Sequence, residues 1–343
     1  MIILESNYFV KYVIDNRLIK SHCTVRINKN TLNVDYIFVS DVLTYQLHEK
    51  KPLKLYFDQD DELTFSFEVP NVIQLINIKS SVRFITKSES KIIEFSCNTP
   101  HFMAIINGDT NHMDKIPESQ VPYVSIAEYI NAYRAIRAMK SFATELGCSI
   151  EVDFGKEFWA VGIAQAIMFG QATGFIGSIQ STLFERIFDV DAEVSQISDT
   201  ALIVRKLGDE IDCYIHVPIN KSTGMTDNLN KLVGSCKRQV CKTAITKDVE
   251  ELAVNITKNI KKESITIQFS TDRMDLIYSN IIVNLTTVSR DANISNAIQI
   301  QTPVKALVPV MMILAEPAQV STSGDLICMM TDNKGLLLSG IIA

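Results

Sequence analysis

The stretch 298-IQIQTPVKALVPVMMIL-314 joins two kinds of pattern at a proline. Its first residues alternate apolar and polar, as a half-buried strand does; the apolar run after Pro303 suits a helix. Proline fits that boundary because a first-turn residue needs no N–H for the helix ladder and its φ is already helical. The same pattern stands in 64-TFSFEVPNVIQLINI-78, around Pro70. A strand–proline–helix unit thus recurs at distant positions, which directs attention to repeats in the chain between.

Two polar segments read as connections, 107-NGDTNHMDKIPESQVP-122 and 218-PINKSTGMTDNLNKLVGS-235. They divide the chain into thirds, 1–116, 117–224 and 225–343. Each third opens with a helix-like segment: Asn7–Ile19, Ser125–Phe142 and Thr246–Lys262. Strand-like runs follow each one. They are CTVRI, LNVDYIFV and LKLYF in the first third, and CSIEVDF, FWAVGIAQ and GFIGSIQ in the second. In the last they are SITIQFS, MDLIYS and IIVNLTTV. The middle copy of the opening unit is expected near residue 190, in RIFDVDAEVSQISDTAL, with a helix-capable run after Asp191 and no proline. A further strand pair closes each third. The pattern of helix, strands, short helix, strands places the chain in the α+β class.

The composition sets outer limits. The 343 residues are 47% hydrophobic and 21% charged, ordinary for globular protein. A formal net charge of −6 excludes a surface coated in basic charge, but a local basic face on an acidic body remains compatible with it. Seven cysteines (Cys23, Cys97, Cys148, Cys213, Cys236, Cys241 and Cys328) make an odd number with no Cys-x-x-Cys pair, which fits a reducing compartment. The opening MIILESNYF is too short and too soon acidic for a secretory signal. From Phe158 to Phe184 no residue is charged. Its glycines and polar residues point to two neighbouring buried strands joined near Gln171–Gly174, not to a membrane span.

No catalytic constellation emerges. The five histidines form no H-x-x-x-H or H-E-x-x-H arrangement, and Cys236 with Cys241 lacks a second ligand pair at zinc spacing. There is no phosphate-binding glycine loop and no nucleophile elbow. In 108-GDTNHMD-114, His112 stands near Asp109 and Asp114, within a connecting segment where polar residues are expected. The reading is a non-enzyme without metal or cofactor.

Three α+β repeats of this size resemble the DNA sliding clamps of the three-domain bacterial type. The last third carries the resemblance most closely. There, ITKDVEELAVNITKNI followed by SITIQFSTDRMDLIYS is similar to the family's opening helix and strand pair. NAIQIQTPVKALVPVMMIL is similar to its strand and second helix, and DLICMMTDNKGLLLSGIIA to its closing hairpin. The divergence of the rest fits a phage or other mobile-element version. The resemblance implies three tandem clamp domains, with strands in an outer layer and helices lining an inner face. It implies a ring-shaped head-to-tail homodimer that encircles double-stranded DNA without reading its sequence and tethers a replicative DNA polymerase as a processivity factor. A clamp loader as partner and a cytoplasmic location, in a bacterial or phage-infected cell and not at a membrane, follow from the same likeness. Two other readings fit the layout: a clamp-fold monomeric processivity or transcription-coupling subunit, and a structural or virion protein of repeated α+β modules that does not bind DNA.

A sliding ring needs cations toward phosphates and little base contact. In the third opening helix Lys247, Lys258, Lys261 and Lys262 project within about 100° of arc. In the second, Arg134, Arg137 and Lys140 span about 120°. In the first, only Arg17 and Lys20 share a face. These nine are the expected DNA-facing residues. The resemblance also implies a cleft for partner peptides, with Phe175 and Ile176 of ATGFIGS on one wall and Ile341 and Ile342 from the tail. The family's tail often holds a Met-Pro pair where this chain has LSGIIA.

Overall fold

The computed structural model describes residues 2–28, 30–40, 42–57, 63–86, 92–98, 101–171, 174–236, 238–243, 251, 255–256, 258–259, 264–269, 273–278, 281–286, 298–339 and 341–342. The chain forms two compact units. One comprises Met1–Ser125 and Asp191–Pro218, the other Ile126–Val190 and Ile219–Ala343. The middle third of the sequence therefore contributes to both.

The first unit holds a thirteen-stranded antiparallel sheet, from Val124–Ser125 at one edge to Lys54–Phe57 at the other. Strands of the first and middle thirds meet where Thr44–Glu49 pairs with Ile211–Pro218, from His216 opposite Thr44 to Ile211 opposite Glu49. Helix α1 (Phe9–Asp15) covers the sheet. Its Phe9 ring lies 5.2 Å from Tyr36, 5.8 Å from Phe38 and 5.1 Å from Phe84, so one helical residue centres an aromatic core. The helix is half the length expected over Asn7–Ile19. At its end the Asn16 side-chain amide donates to the Tyr12 carbonyl at 2.9 Å, alongside the Asn16 backbone N–H at 3.1 Å. Arg17 and Lys20 take left-handed φ values of 56° and 64°, and the resulting turn buries Leu18 completely.

The second unit holds an eight-stranded sheet and a five-stranded sheet, counted among the described residues. Strands of the middle and last thirds meet where Ala166–Gln171 pairs with Lys334–Ser339. Its helices include α2 (Ile130–Leu146), α3 (Ser181–Ile187), α4 (Met225–Ser235) and α5 (Leu307–Leu314), and among the described residues 251, 255–256 and 258–259 are helical too. The opening stretch is the strand Ile298–Pro303, a single 3-10 turn at Val304–Ala306, and then α5. Pro309 falls in the first turn of α5, where its missing N–H has no intrahelical use. Five of its eight residues besides Pro309 are buried, which is why its apolar run shows no polar stripe.

Three expectations change. Around Pro70 the strand Leu63–Glu68 leads only into a 3-10 turn, Asn71–Leu75, with Ile73 buried and Leu75 exposed. In the middle third the residues after Asp191 form a strand, Glu193–Ser198, because their alternation has period two. The helix of that third is α3, ahead of Asp191, where Leu183, Phe184 and Ile187 recur at helical spacing and are buried. The uncharged run makes three strands, Phe158–Ile163, Ala166–Gln171 and Gly177–Gln180, with the first hairpin turning at Ala164–Gln165. Among the described residues no helix is long and apolar enough to cross a membrane.

The first connection is fastened to the sheet by side chains. Arg26 donates to the Met113 carbonyl at 2.6 Å and pairs with Asp114, His22 bonds the Asn111 carbonyl at 2.8 Å, and His112 bonds Ser66 at 2.8 Å. His112, Asp109 and Asp114 are thus drawn to different partners, Asp109 facing His22. Gln46 accepts from the Ile116 N–H and donates to Asp35, which also binds His48 and Lys115. Burial alone raises the Asp35 carboxyl, but the His48 and Lys115 contacts outweigh it and hold the group below its usual value.

Glu49 behaves oppositely. It is fully buried at the seam between the first and middle thirds, with the Tyr36 hydroxyl donating to it at 3.1 Å. Burial pushes its carboxyl up to about 6 from 4.5, despite hydrogen bonds from Ser6, Tyr36 and Asn7. The folded chain therefore binds a proton that the unfolded chain releases between these values. Stability falls as pH rises from 4.5 to about 6 and then levels off, a difference of about 2 kcal/mol. Glu49→Gln is expected to flatten that slope and to raise the urea midpoint at pH 7. An unchanged slope in the variant would assign it to other groups.

Candidate functional site

Helix α2 supplies the basic face. Its sequence INAYRAIRAMKSFATEL buries Ala132, Ala135, Ile136, Met139, Phe142 and Ala143. That spacing leaves Arg134, Arg137 and Lys140 on the exposed side. The Arg137 guanidinium lies 6.0 Å from the centre of the Tyr133 ring, and Tyr133 stacks on Phe188 at 4.3 Å with planes 8° apart. Lys140 pairs with Glu185 of α3 at 3.0 Å, which offsets its charge locally. Arg17 and Lys20 are exposed but sit in the turn after α1, not on a helix face. Lys258 is helical and exposed; Lys247, Lys261 and Lys262 lie outside the described residues. The structure thus brings Arg134, Arg137 and Lys140 together, and Arg17 with Lys20.

The second surface is a cavity of about 350 Å³ within the second unit. Ile176, with Phe158, gives it an apolar wall. Gly155, Lys156 and Glu157 from the turn before Phe158 line it too, as do Ser222, Thr226 and Asp227 at the entry to α4. Phe175 and Ile176, expected together on the wall, separate. Phe175 is 4% exposed, packed 4.3 Å from Phe154 and 4.9 Å from Tyr129, while its N–H donates to the Tyr129 hydroxyl. Ile176 is 44% exposed. Phe175 therefore packs in the core, and it is Ile176 beside it that lines the cavity. Ile341–Ile342 forms a short strand paired with Ile300 and Gln301 at the edge of the five-stranded sheet.

The cavity is built on Asp153. This carboxylate is wholly buried and accepts four hydrogen bonds: from the Ser222 hydroxyl at 2.9 Å, and from the Thr223 N–H, the Thr226 N–H and the Thr226 hydroxyl, each at 3.1 Å. It also meets orphan donors at the start of α4. Gly155 permits the approach, since a β-carbon there would stand 2.6 Å from the Thr226 hydroxyl oxygen. On the other side Ser178 and Asn220 exchange two backbone hydrogen bonds of 2.9 Å. Gly177, at φ 147°, leaves room for the Asn220 carbonyl. The first wall thus rests on a wholly buried carboxylate, the second on a paired backbone bridge. Sequence reading missed Ser222, Thr226 and Asp227 because 218–235 looked like a connection, and Asp153 because it stands in the strand-like run CSIEVDF. The Ser-Thr-Gly-Met-Thr-Asp run ahead of LNKLVGS was the available signal of a helix start.

With this architecture established, likeness to solved structures becomes informative. Over 99% of both chains, the fold matches a Helicobacter pylori beta clamp bound to a DNA ligase peptide, with a TM-score of 0.68 at 10% identity. The chain has the beta-clamp fold. DNA polymerase III beta subunits from Pseudomonas aeruginosa (TM-score 0.66, 8% identity) and Streptococcus pneumoniae (0.65, 11%) match 99% of this chain and 100% of theirs. No protein-family model matches the sequence, and no curated protein matches it either. The clamp fold is thus held by a sequence almost entirely different from those neighbours.

The hydrogen bonds to Asp153 give a direct test. Asp153→Ala leaves four donors without a partner, and we expect a loss of about 3 kcal/mol in unfolding free energy. Hydrogen exchange at the Thr223 and Thr226 amides should accelerate ahead of global unfolding. Unchanged protection there would show that the loop is held by other contacts.

Proposed function

We propose that this protein is a sliding clamp: a head-to-tail homodimeric ring around duplex DNA that tethers a DNA polymerase as a processivity factor. The whole-chain match to beta clamps carries the reading, and the outward Arg134 and Arg137 supply the charge the task requires. Three domains, 1–116, 117–224 and 225–343, are the repeating units in this reading, and a dimer then gives a six-domain ring. The mechanism is topological. Phosphate contacts hold the duplex without reading it, and enclosure keeps the polymerase at high effective concentration on its template. Of the expected cations, Arg134, Arg137, Lys140, Arg17, Lys20 and Lys258 are exposed. No catalytic step is assigned.

Two open strand edges support a dimer. In His101–Asp109, residues 101–107 pair with Ile92–Asn98, whereas only Gly108 and Asp109 pair with Leu63–Glu68. Met103 and Ile105 there are 65% and 71% exposed. Ile281–Thr286 forms an edge of the five-stranded sheet, with Ile282 62% exposed. Edges without a strand partner among the described residues and flanked by apolar side chains favour strand addition, and pairing these two between copies would give a head-to-tail arrangement. The cavity beside Ile176 is the proposed seat for polymerase and clamp-loader peptides; the H. pylori clamp above was solved with a ligase peptide. The cytoplasm of a bacterial or phage-infected cell is the expected setting.

Sedimentation tests the ring. The wild type is expected to be a dimer at micromolar concentration and Ile105→Asp a monomer; a wild-type monomer sinks the ring and favours a monomeric clamp-fold subunit. Loaded protein should stay on closed circular DNA and leave when the circle is linearised, and equal retention on both forms would overturn the topological mechanism. Arg134→Ala with Arg137→Ala should lower the log–log salt slope of DNA binding by about two if both face phosphates.

A further inference from the structure

We infer that Tyr133 is a positioning residue for phosphate contact: stacked on Phe188, its ring holds the Arg137 guanidinium at the face that α2 turns to DNA. This deepens, and rests on, the reading of that face as the DNA-binding surface. Tyr133 and Arg137 stand four residues apart on α2, so their side chains share one side of the helix. The guanidinium carbon lies 6.0 Å from the ring centre, at the outer reach of the attraction between a cation and an aromatic face. The ring is itself supported from the core. Phe188 stacks on it at 4.3 Å with planes 8° apart. Phe188 in turn lies 6.0 Å from Phe184, and Phe184 lies 5.6 Å from Phe154. Phe184 and Phe154 are wholly buried, so a chain of rings runs from the core of the second unit to an exposed cation.

The neighbouring Lys140 shows what a different partner does. Its ammonium sits 3.0 Å from one carboxylate oxygen of Glu185 and 3.4 Å from the other. A carboxylate fixes a cation and opposes its charge as well, so Lys140 offers a phosphate little. An aromatic ring fixes a cation and leaves its charge available, because the attraction comes from the ring's quadrupole and not from a net charge. Glu185 of α3 thus holds back one cation of α2, while Phe188, directly after α3, supports another through Tyr133. Arginine has much to gain from such support. Its long side chain has many rotamers, which a phosphate contact would otherwise have to restrict on binding. A planar guanidinium already laid against a ring keeps its donors in one orientation, so the duplex meets a fork that needs less ordering.

The test uses the full-length protein and a short labelled DNA duplex, with affinity read by fluorescence anisotropy over a series of salt concentrations. Tyr133→Ala and Tyr133→Leu, the second keeping apolar packing against Phe188, are each expected to weaken binding roughly twofold to fivefold at fixed salt, the loss of an exposed cation–π contact. Tyr133→Phe keeps the ring face and should bind like the wild type. Arg137→Ala should lower the log–log salt slope by about one, and Tyr133→Ala added to it should cost nothing further. Lys140→Ala should change the slope much less than Arg137→Ala does. A Tyr133→Ala loss as large without Arg137 as with it, wild-type binding by Tyr133→Leu, or weak binding by Tyr133→Phe overturns the positioning role while the DNA face stands. A Lys140→Ala slope change equal to that of Arg137→Ala overturns the contrast between ring and carboxylate. An unchanged slope when Arg134→Ala and Arg137→Ala are combined overturns the DNA face itself and the inference with it.

Discussion

Two antiparallel pairings join the consecutive thirds of the sequence: Thr44–Glu49 with Ile211–Pro218, and Ala166–Gln171 with Lys334–Ser339. The backbone groups of a buried strand must find partners, and here each third leaves an edge that its neighbour completes. The middle third therefore has no sheet of its own. Val124–Ser125 and its late strands extend the sheet of the first third, and the strands between Glu151 and Gln180 extend that of the last.

Polar interiors recur wherever these elements must be held in one arrangement. Asp153 ties the entry of α4 to a central strand through four donors, and Asp35 with Gln46 ties the first connection to its sheet. Glu49 sits at a strand seam without a cation and shows the opposite electrostatic outcome, a carboxyl raised and not lowered. The difference lies in the partners. His48 and Lys115 face Asp35, whereas hydroxyls and an amide face Glu49. Burial is common to both, so the neighbouring charge decides the sign.

The candidate surfaces follow the same division between scaffold and presented group. On α2 the alanines and Phe142 pack inward, which fixes where Arg134 and Arg137 emerge from an acidic chain. At the cavity, Phe175 locks against Tyr129 and Phe154 so that Ile176 faces outward. In both places a buried aromatic or aliphatic residue does no binding itself but sets the geometry of its neighbour.

The sequence by itself determined the α+β class, the strand–proline–helix unit at 298–314 and the exposed basic stripe of α2. All of these are periodic signals over short spans, and local geometry converts them directly into a buried and an exposed face. Tertiary structure decided what rests on competition between distant groups. The left-handed turn that buries Leu18 follows α1 directly, and the alternation after Asp191 is a strand paired with Ala201–Lys206. The cavity lay beyond sequence reading for the same reason. Asp153 and Thr226 are far apart in the chain, each is an ordinary polar residue alone, and only folding places one carboxylate within reach of four donors.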